Sequence, residues 1–191
     1  MKLTDYQIIL ASNSPRRKEL LSGIDVEYAV RMLPDVDESY PDTISGDDVA
    51  EYLAIKKSTV YMDQLDEGEL LITADTIVLL DDEVIGKPND ESDAIRMLKL
   101  LSGKTHRVIT GVCLTSVKKQ ISFSDTAYVT FGHLSDEEIK YYVSKYKPYD
   151  KAGAYGVQEW IGYTAVEKIE GSYFNVMGLP IFKVYKALKQ F

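Results

Sequence analysis

Apolar positions along the chain alternate between short continuous runs and faces spaced at helical intervals, and the two patterns interleave. Residues 7–12, QIILAS, form a run that reads as a buried strand delivering the chain into a turn. Ser14 then offers a hydroxyl cap and Pro15 suits the first helical position, so a helix is predicted that buries Leu20, Leu21 and Ile24 and exits near Gly23 and Asp25. Residues 26–32 alternate like a second strand, and 33–45 are acidic and loop-like. Residues 47–62 place Val49, Tyr52, Leu53 and Val60 near helical spacing. An apolar strand over 70–73 is followed by a hairpin pairing 77–80 with 84–85 around Asp81 and Asp82.

Asp90 is placed to cap a helix that buries Ala94, Ile95, Leu98 and Leu101 and stops at Ser102 and Gly103. Two long paired strands are expected over 108–117 and 121–131. Ser135 and Glu138 have capping-box spacing ahead of a helix with Ile139, Tyr142, Val143 and Tyr146 along one face. A strand over 163–169 and a terminal helix opened by Leu179 and Pro180 complete the pattern. The interleaving of strands and helices predicts an α/β fold on a mixed rather than purely parallel sheet. With no linker, repeat or low-complexity stretch, residues 1–191 are expected to form one domain.

Composition narrows the function. The apolar fraction of 45% and charged fraction of 27% are those of a soluble globular protein. A net charge of -8 argues against nucleic-acid and membrane-surface partners, both of which call for a basic face. The single Cys113 excludes an intrachain disulfide and suits a reducing cytoplasm. The apolar run in MKLTDYQIILAS is too short for a signal peptide or a span, so a cytoplasmic protein is expected.

Against that acidic background, Arg16, Arg17 and Lys18 at a predicted helix start are out of place, because a helix N-terminus already carries partial positive charge. An anion bound there reverses the sign and turns the turn into a polyphosphate site; the alternative is solvated surface cations paired with carboxylates such as Glu19. In ITADTIVLLDDEVIGKPND, Asp75 falls where an apolar strand is expected to end, and Lys87 is presented by a loop that Pro88 stiffens. A carboxylate to hold a metal or deprotonate water and a lysine for a phosphate oxygen suit phosphoryl chemistry. A turn-capping Asp75 and a solvated Lys87 are the structural alternative.

KAGAYGVQE, residues 151–159, has the glycines of a loop that approaches a ligand closely, with Gln158 able to meet the edge of a base. It equally suits a tight turn packing Tyr155 into the core. The acidic run PDVDES, residues 34–39, can supply metal-binding carboxylates or a solvated surface. Gly103-Lys104-Thr105 is not a P-loop, since Leu98 stands where the first glycine belongs. His106, His133 and Cys113 are isolated, so any metal would be hard and oxygen-bound, Mg²⁺ or Mn²⁺.

LASNSPRRKELL, ADTIVLLDDEVIGKP, LKLLSGKTHRVITGV, DKAGAYGVQE and IEGSYFNVMGLP, in this order and spacing, resemble the Maf family of nucleotide pyrophosphatases, once known as septum-formation proteins. The resemblance runs from Leu10 to Pro180. It implies a two-lobed α/β fold on an elongated mixed sheet flanked by helices, with a nucleotide cleft between lobes. It also implies hydrolysis of nucleoside triphosphates to the monophosphate and pyrophosphate and dependence on a divalent cation, and homodimers are common among such relatives. Asp75 matches the family's general base, Ser12, Arg16, Lys57 and Lys87 its phosphate-facing groups, and Glu38 an acidic residue near the metal.

Arg16, Thr76 and Gln158 follow the branch acting on dTTP, UTP and some modified pyrimidine nucleotides. The branch acting on 7-methyl-GTP typically carries an aromatic residue after the proline of the first motif. Glu159 departs from several relatives that have glycine there, and would add negative charge near the base pocket. The implied mechanism has Mg²⁺ bridging carboxylate and phosphate oxygens. Asp75 activates water for in-line attack at the α-phosphorus, and Arg16, Lys57 and Lys87 stabilise the departing pyrophosphate. A 7-methyl-GTP pyrophosphatase and a non-catalytic nucleotide-binding regulator of septum formation are the competing functions. The set of Asp75, Lys57 and Lys87 favours an enzyme, since a pure binder has little need of a general base.

Overall fold

The computed structural model describes residues 4–32 and 36–191. Along the chain run β1 (Gln7–Leu10), α1 (Pro15–Ser22), β2 (Tyr28–Val30), α2 (Val49–Tyr61), β3 (Glu69–Leu80), β4 (Glu83–Ile85) and α3 (Glu91–Leu101). They are followed by β5 (Thr105–Thr115), β6 (Gln120–Phe131), α4 (Asp136–Tyr146), α5 (Trp160–Thr164), β7 (Val166–Glu170), α6 (Tyr173–Met177) and α7 (Ile181–Leu188). The strands form one seven-stranded sheet in the order β2-β1-β3-β5-β6-β7, with β4 on β3. β1 is parallel to both neighbours, while β3–β4 and β6–β7 are antiparallel, so the sheet is mixed as expected.

Local chemistry explains most boundaries. Asp90 accepts the N–H of Asp93 at the start of α3, and Ser135 with Glu138 closes the full capping box of α4. α1 gives way at Gly23, and Asp25 makes the left-handed turn that follows, at φ 56°. Residues 36–45 carry neither helix nor strand, as their polarity predicts; residues 33–35 of that acidic stretch, like 1–3, lie outside the described residues.

Three expectations are corrected. The Ser14 hydroxyl does not cap α1: Pro15 removes one N–H from the first turn, and the Ser14 N–H instead donates to Ser12 Oγ at 3.2 Å. The strand over 70–73 does not end before the hairpin, because β3 continues extended through Ala74, Asp75 and Thr76 into it. Asp75 is therefore a buried residue inside a strand rather than one at its end, 8% exposed. Finally, Tyr163 and Thr164 belong to α5, where Ile161 is the buried anchor, and the last strand starts only at Val166.

The chain divides into two compact units. The first comprises Met1–Asp75, Thr110–Asp125 and Gly178–Phe191. Its buried positions include Ile8, Ile9 and Leu10 of β1, Leu70, Leu71 and Ile72 of β3, Leu20 and Leu21 of α1, and Leu53 and Ala54 of α2. The start of α2 crosses β5 at Gly111, where a Cβ would lie 2.2 Å from the Ala50 backbone, so glycine alone permits the approach. The second unit comprises Thr76–Ile109 and Thr126–Met177. It buries Val78, Leu79, Leu98, Leu101, Val129, Phe131, Ile139 and Val143, with α3 packed against α4. Among the described residues, no helix is long and apolar enough to cross a membrane.

Candidate functional site

In the first unit, α2 presents two successive lysines to the stretch that carries Glu38. Lys57 Nζ donates to Glu38 Oε1 at 2.8 Å and to Asp75 Oδ1 at 2.5 Å. The side chains of Lys57 and Asp75 are only 16% and 12% exposed, so this pair is screened far less than a surface ion pair. Lys56 Nζ donates to Asp37 Oδ2 and to the Ser39 carbonyl, both at 2.7 Å. Its ammonium and the Ser39 hydroxyl hold the Asp37 carboxyl well below the usual carboxylate range. The tether fixes the backbone on either side of Glu38.

Of the two arginines at the start of α1, Arg17 is held by backbone carbonyls. Arg17 donates from Nε to the Gly178 carbonyl and from Nη1 to the Ala74 carbonyl, each at 2.8 Å. Burial pushes its guanidinium below the ordinary arginine value, with the Asp75 charge opposing the shift. The residue is thus a backbone clamp on the peptide before Asp75. Arg16 occupies the adjacent helical position, and Ser12 is buried at the β1–α1 junction with Oγ accepting from Ser14.

The second unit carries Thr76, Lys87 and Gln158. Lys87 is exposed in the loop after β4, between Gly86 and the buried Pro88. The Gly86 carbonyl accepts from Gly153 N at 3.0 Å, which ties this loop to the glycine-rich one at 151–159. Gly153 has φ 67° and would place a Cβ 2.9 Å from Val78, while Ala154 also adopts a left-handed φ of 59°. That conformation costs an alanine roughly 1–2 kcal/mol, so the surroundings must hold it. Tyr155 is buried beside it and shares a 2.7 Å hydrogen bond with His106 Nε2.

Downstream, the Tyr142 hydroxyl accepts from Gly156 N at 3.0 Å and donates to the Glu159 carboxylate. Burial, then Glu159, raises the Tyr142 phenol above its ordinary pKa. Lys151 Nζ, on a side chain 9% exposed, pairs with Asp150 at 2.8 Å and Glu159 at 3.1 Å. The added charge of Glu159 is therefore engaged by a phenol and an ammonium. Gln158 Oε1 is buried and has no hydrogen-bond partner among the described residues. An unpaired buried acceptor costs about 1–3 kcal/mol, which a ligand donor recovers.

Glu38, Lys57 and Asp75 thus form one hydrogen-bonded cluster in the first unit, while the second unit links the Lys87 loop to the Gln158 loop. Among the described residues, no three His, Cys, Asp or Glu side chains converge as a ready metal cage. Two carboxylates already share one cationic centre, Lys57 Nζ, and such hard oxygen donors suit Mg²⁺ or Mn²⁺ whose remaining ligands are water and phosphate. The pattern groups Arg17 with Arg16 and Lys18 at a phosphate-facing turn, and the structure corrects this for Arg17, whose guanidinium is spent on two backbone carbonyls. Tyr142 and Lys151 carried no functional signal beyond a phenol on an apolar helix face and a lysine opening the glycine-rich run.

The chain matches the family described as Maf-like protein over residues 7–191. A dTTP/UTP pyrophosphatase of Bacteroides thetaiotaomicron is 60% identical over 188 residues, 98% of this chain and 97% of that one. A dTTP/UTP pyrophosphatase of Phocaeicola vulgatus is 58% identical over 188 residues, again 98% and 97% of the two chains. A looser likeness, at 17% identity and a TM-score of 0.48, covers 65% of this chain and 71% of a solved Ham1 protein of Staphylococcus aureus.

Proposed function

The chain belongs to the Maf-like family, and on that premise we propose that it is a nucleoside triphosphate pyrophosphatase that hydrolyses dTTP and UTP to the monophosphate and pyrophosphate. The observation that carries this is the Lys57 ammonium held between the carboxylates of Glu38 and Asp75. A buried carboxylate with an adjacent cation is equipped to take a proton from water beside a negatively charged phosphate.

Asp75 orients and deprotonates a water molecule for in-line attack on the α-phosphorus. The water oxygen bonds to phosphorus and the proton passes to Asp75. The bridging P–O bond then breaks, and its electron pair leaves with pyrophosphate. Lys57 exchanges a carboxylate partner for a phosphate oxygen, and Ser12, Arg16 and Lys87 take further phosphate oxygens. Glu38 and Asp75 are the residues that would hold Mg²⁺ or Mn²⁺. When bound, such an ion supplies polarisation of the phosphate oxygens and charge neutralisation. Gln158 meets the base edge shared by thymine and uracil, Oε1 accepting from N3–H and Nε2 donating to O4, with Thr76 as the second selecting residue.

The single buried Cys113 suits a cytoplasmic setting, and a homodimer, common among relatives, is the assembly to test. Light scattering on the purified protein tests the assembly. Pyrophosphate release from dTTP, UTP, CTP and 7-methyl-GTP, with and without Mg²⁺ or Mn²⁺, tests the activity. Fastest turnover on dTTP and UTP is expected. A best rate on 7-methyl-GTP would move the chain to the other branch, and tight binding without release would make it a regulator.

A further inference from the structure

Three side chains converge over the bare Cα of Gly156. A Cβ built there would lie 2.9 Å from Glu159 Cδ, 3.0 Å from Lys151 Cε and 3.1 Å from Gln158 Nε2. The nitrogen end of the Gln158 amide thus lies on the same side of Gly156 as the Glu159 carboxyl, while Oε1 is buried and unpartnered among the described residues. Asp150, Glu159 and Lys151 together leave this corner with a net negative charge. Turning the amide over would bring its oxygen towards that charge, so the field favours one of its two orientations.

We propose that Tyr142 and Glu159, steadied by Lys151, are positioning residues for base selection that hold the Gln158 amide in a single orientation. The proposal rests on the assignment of Gln158 to the base edge made above. An amide free to flip meets cytosine, with its acceptor at N3 and donor at N4, as well as it meets uracil. A fixed amide with Oε1 forward accepts only from N3–H, and cytosine then faces it with two mismatched pairs. Tyr142 acts from α4 at two points of the loop, accepting from Gly156 N and donating to Glu159, and so sets where the carboxylate stands. The left-handed Ala154 and the His106–Tyr155 bond fix the preceding part of the same loop.

The test is the ratio of kcat/KM for UTP to that for CTP, since both share one triphosphate and a general loss of fold lowers both alike. Tyr142→Phe is expected to lower the ratio about fivefold or more, through loss of CTP exclusion. Glu159→Ala should do the same and is the second arm if Tyr142→Phe does not fold. Leu98→Val, a core change in the same unit, serves as the control for lowered stability and should leave the ratio at the wild-type value. A wild-type ratio in a folded Tyr142→Phe or Glu159→Ala overturns the positioning role while leaving the function intact. A ratio that falls equally in Leu98→Val also overturns it. A wild-type enzyme without preference for UTP over CTP overturns the base assignment itself and the positioning role with it.

Discussion

The Arg17 guanidinium donates to the carbonyl of Ala74 over 2.8 Å, gripping the backbone one residue before Asp75. Its second bond, to the Gly178 carbonyl, closes a link 161 residues apart in the chain. Arg17→Met should therefore lower the Tm of the nucleotide-free protein, with a loss on the order of 1.5–3 kcal/mol for hydrogen bonds to a charged group. Arg16→Ala should act differently, shrinking the Tm increase that dTTP produces while changing the nucleotide-free Tm less than Arg17→Met does. Melts of both variants with and without dTTP separate the two roles; matched losses in the nucleotide-free protein would show that both arginines are structural.

Asp75→Asn keeps the shape of the side chain and removes its charge and basicity. Turnover of dTTP should fall by roughly 10²-fold or more, the scale of a lost general base. Nucleotide binding should survive, because Lys57 is released from one of its carboxylates to meet phosphate. Single-turnover rates together with dTTP titration by calorimetry check both halves. A variant retaining a tenth of the wild-type kcat would remove Asp75 from the role of base. Glu38→Gln should in parallel raise the Mn²⁺ concentration needed for half-maximal rate.

Elements with strong local chemistry were legible from residues alone. The apolar run of β1, the Asp90 cap and the Ser135–Glu138 box each rest on neighbours a few positions apart. What escaped depends on distant partners. Asp75 looked like the end of a strand because a carboxylate in an extended apolar run is unfavourable until its counter-ion is known, and Lys57 lies 18 residues earlier. α5 and α6 are each five residues long, too short for a helical period to emerge. Tyr142 falls on the face of α4 with Ile139 and Val143, where a phenol that packs and a phenol that also holds a loop are written alike.

His106 predicts a pH dependence. Burial pulls its pKa from 6.5 down to about 4, so the folded protein binds no proton there across a window in which the unfolded chain does. Stability from this group is complete above the unfolded value and falls as the pH drops through the window, by about 3 kcal/mol over its whole width. Urea unfolding at pH 7 and pH 5 should show the wild type losing on the order of 2 kcal/mol more than His106→Gln, which keeps a polar partner for Tyr155 but does not titrate. Equal losses in the two proteins would mean that other groups carry the acid sensitivity.

Gln158→Ala addresses the base directly. Its buried Oε1 has no partner among the described residues, so removing the amide should leave the loop's own contacts intact: Tyr142 still holds Gly156 and Glu159, and Lys151 still pairs with Asp150 and Glu159. The substrate loses a matched donor–acceptor pair worth on the order of 1–3 kcal/mol, so kcat/KM for dTTP and UTP should drop about 5- to 150-fold. CTP, which never gained that pair, should drop less, and the preference should narrow. Phosphate contacts lie with Ser12, Arg16, Lys57 and Lys87 in this assignment, and the apparent Mg²⁺ affinity should change little. Steady-state kinetics on the three nucleotides over a Mg²⁺ series measure both quantities. An unchanged ranking of the nucleotides, or a Mg²⁺ requirement that rises in step with the lost rate, would place Gln158 away from the base.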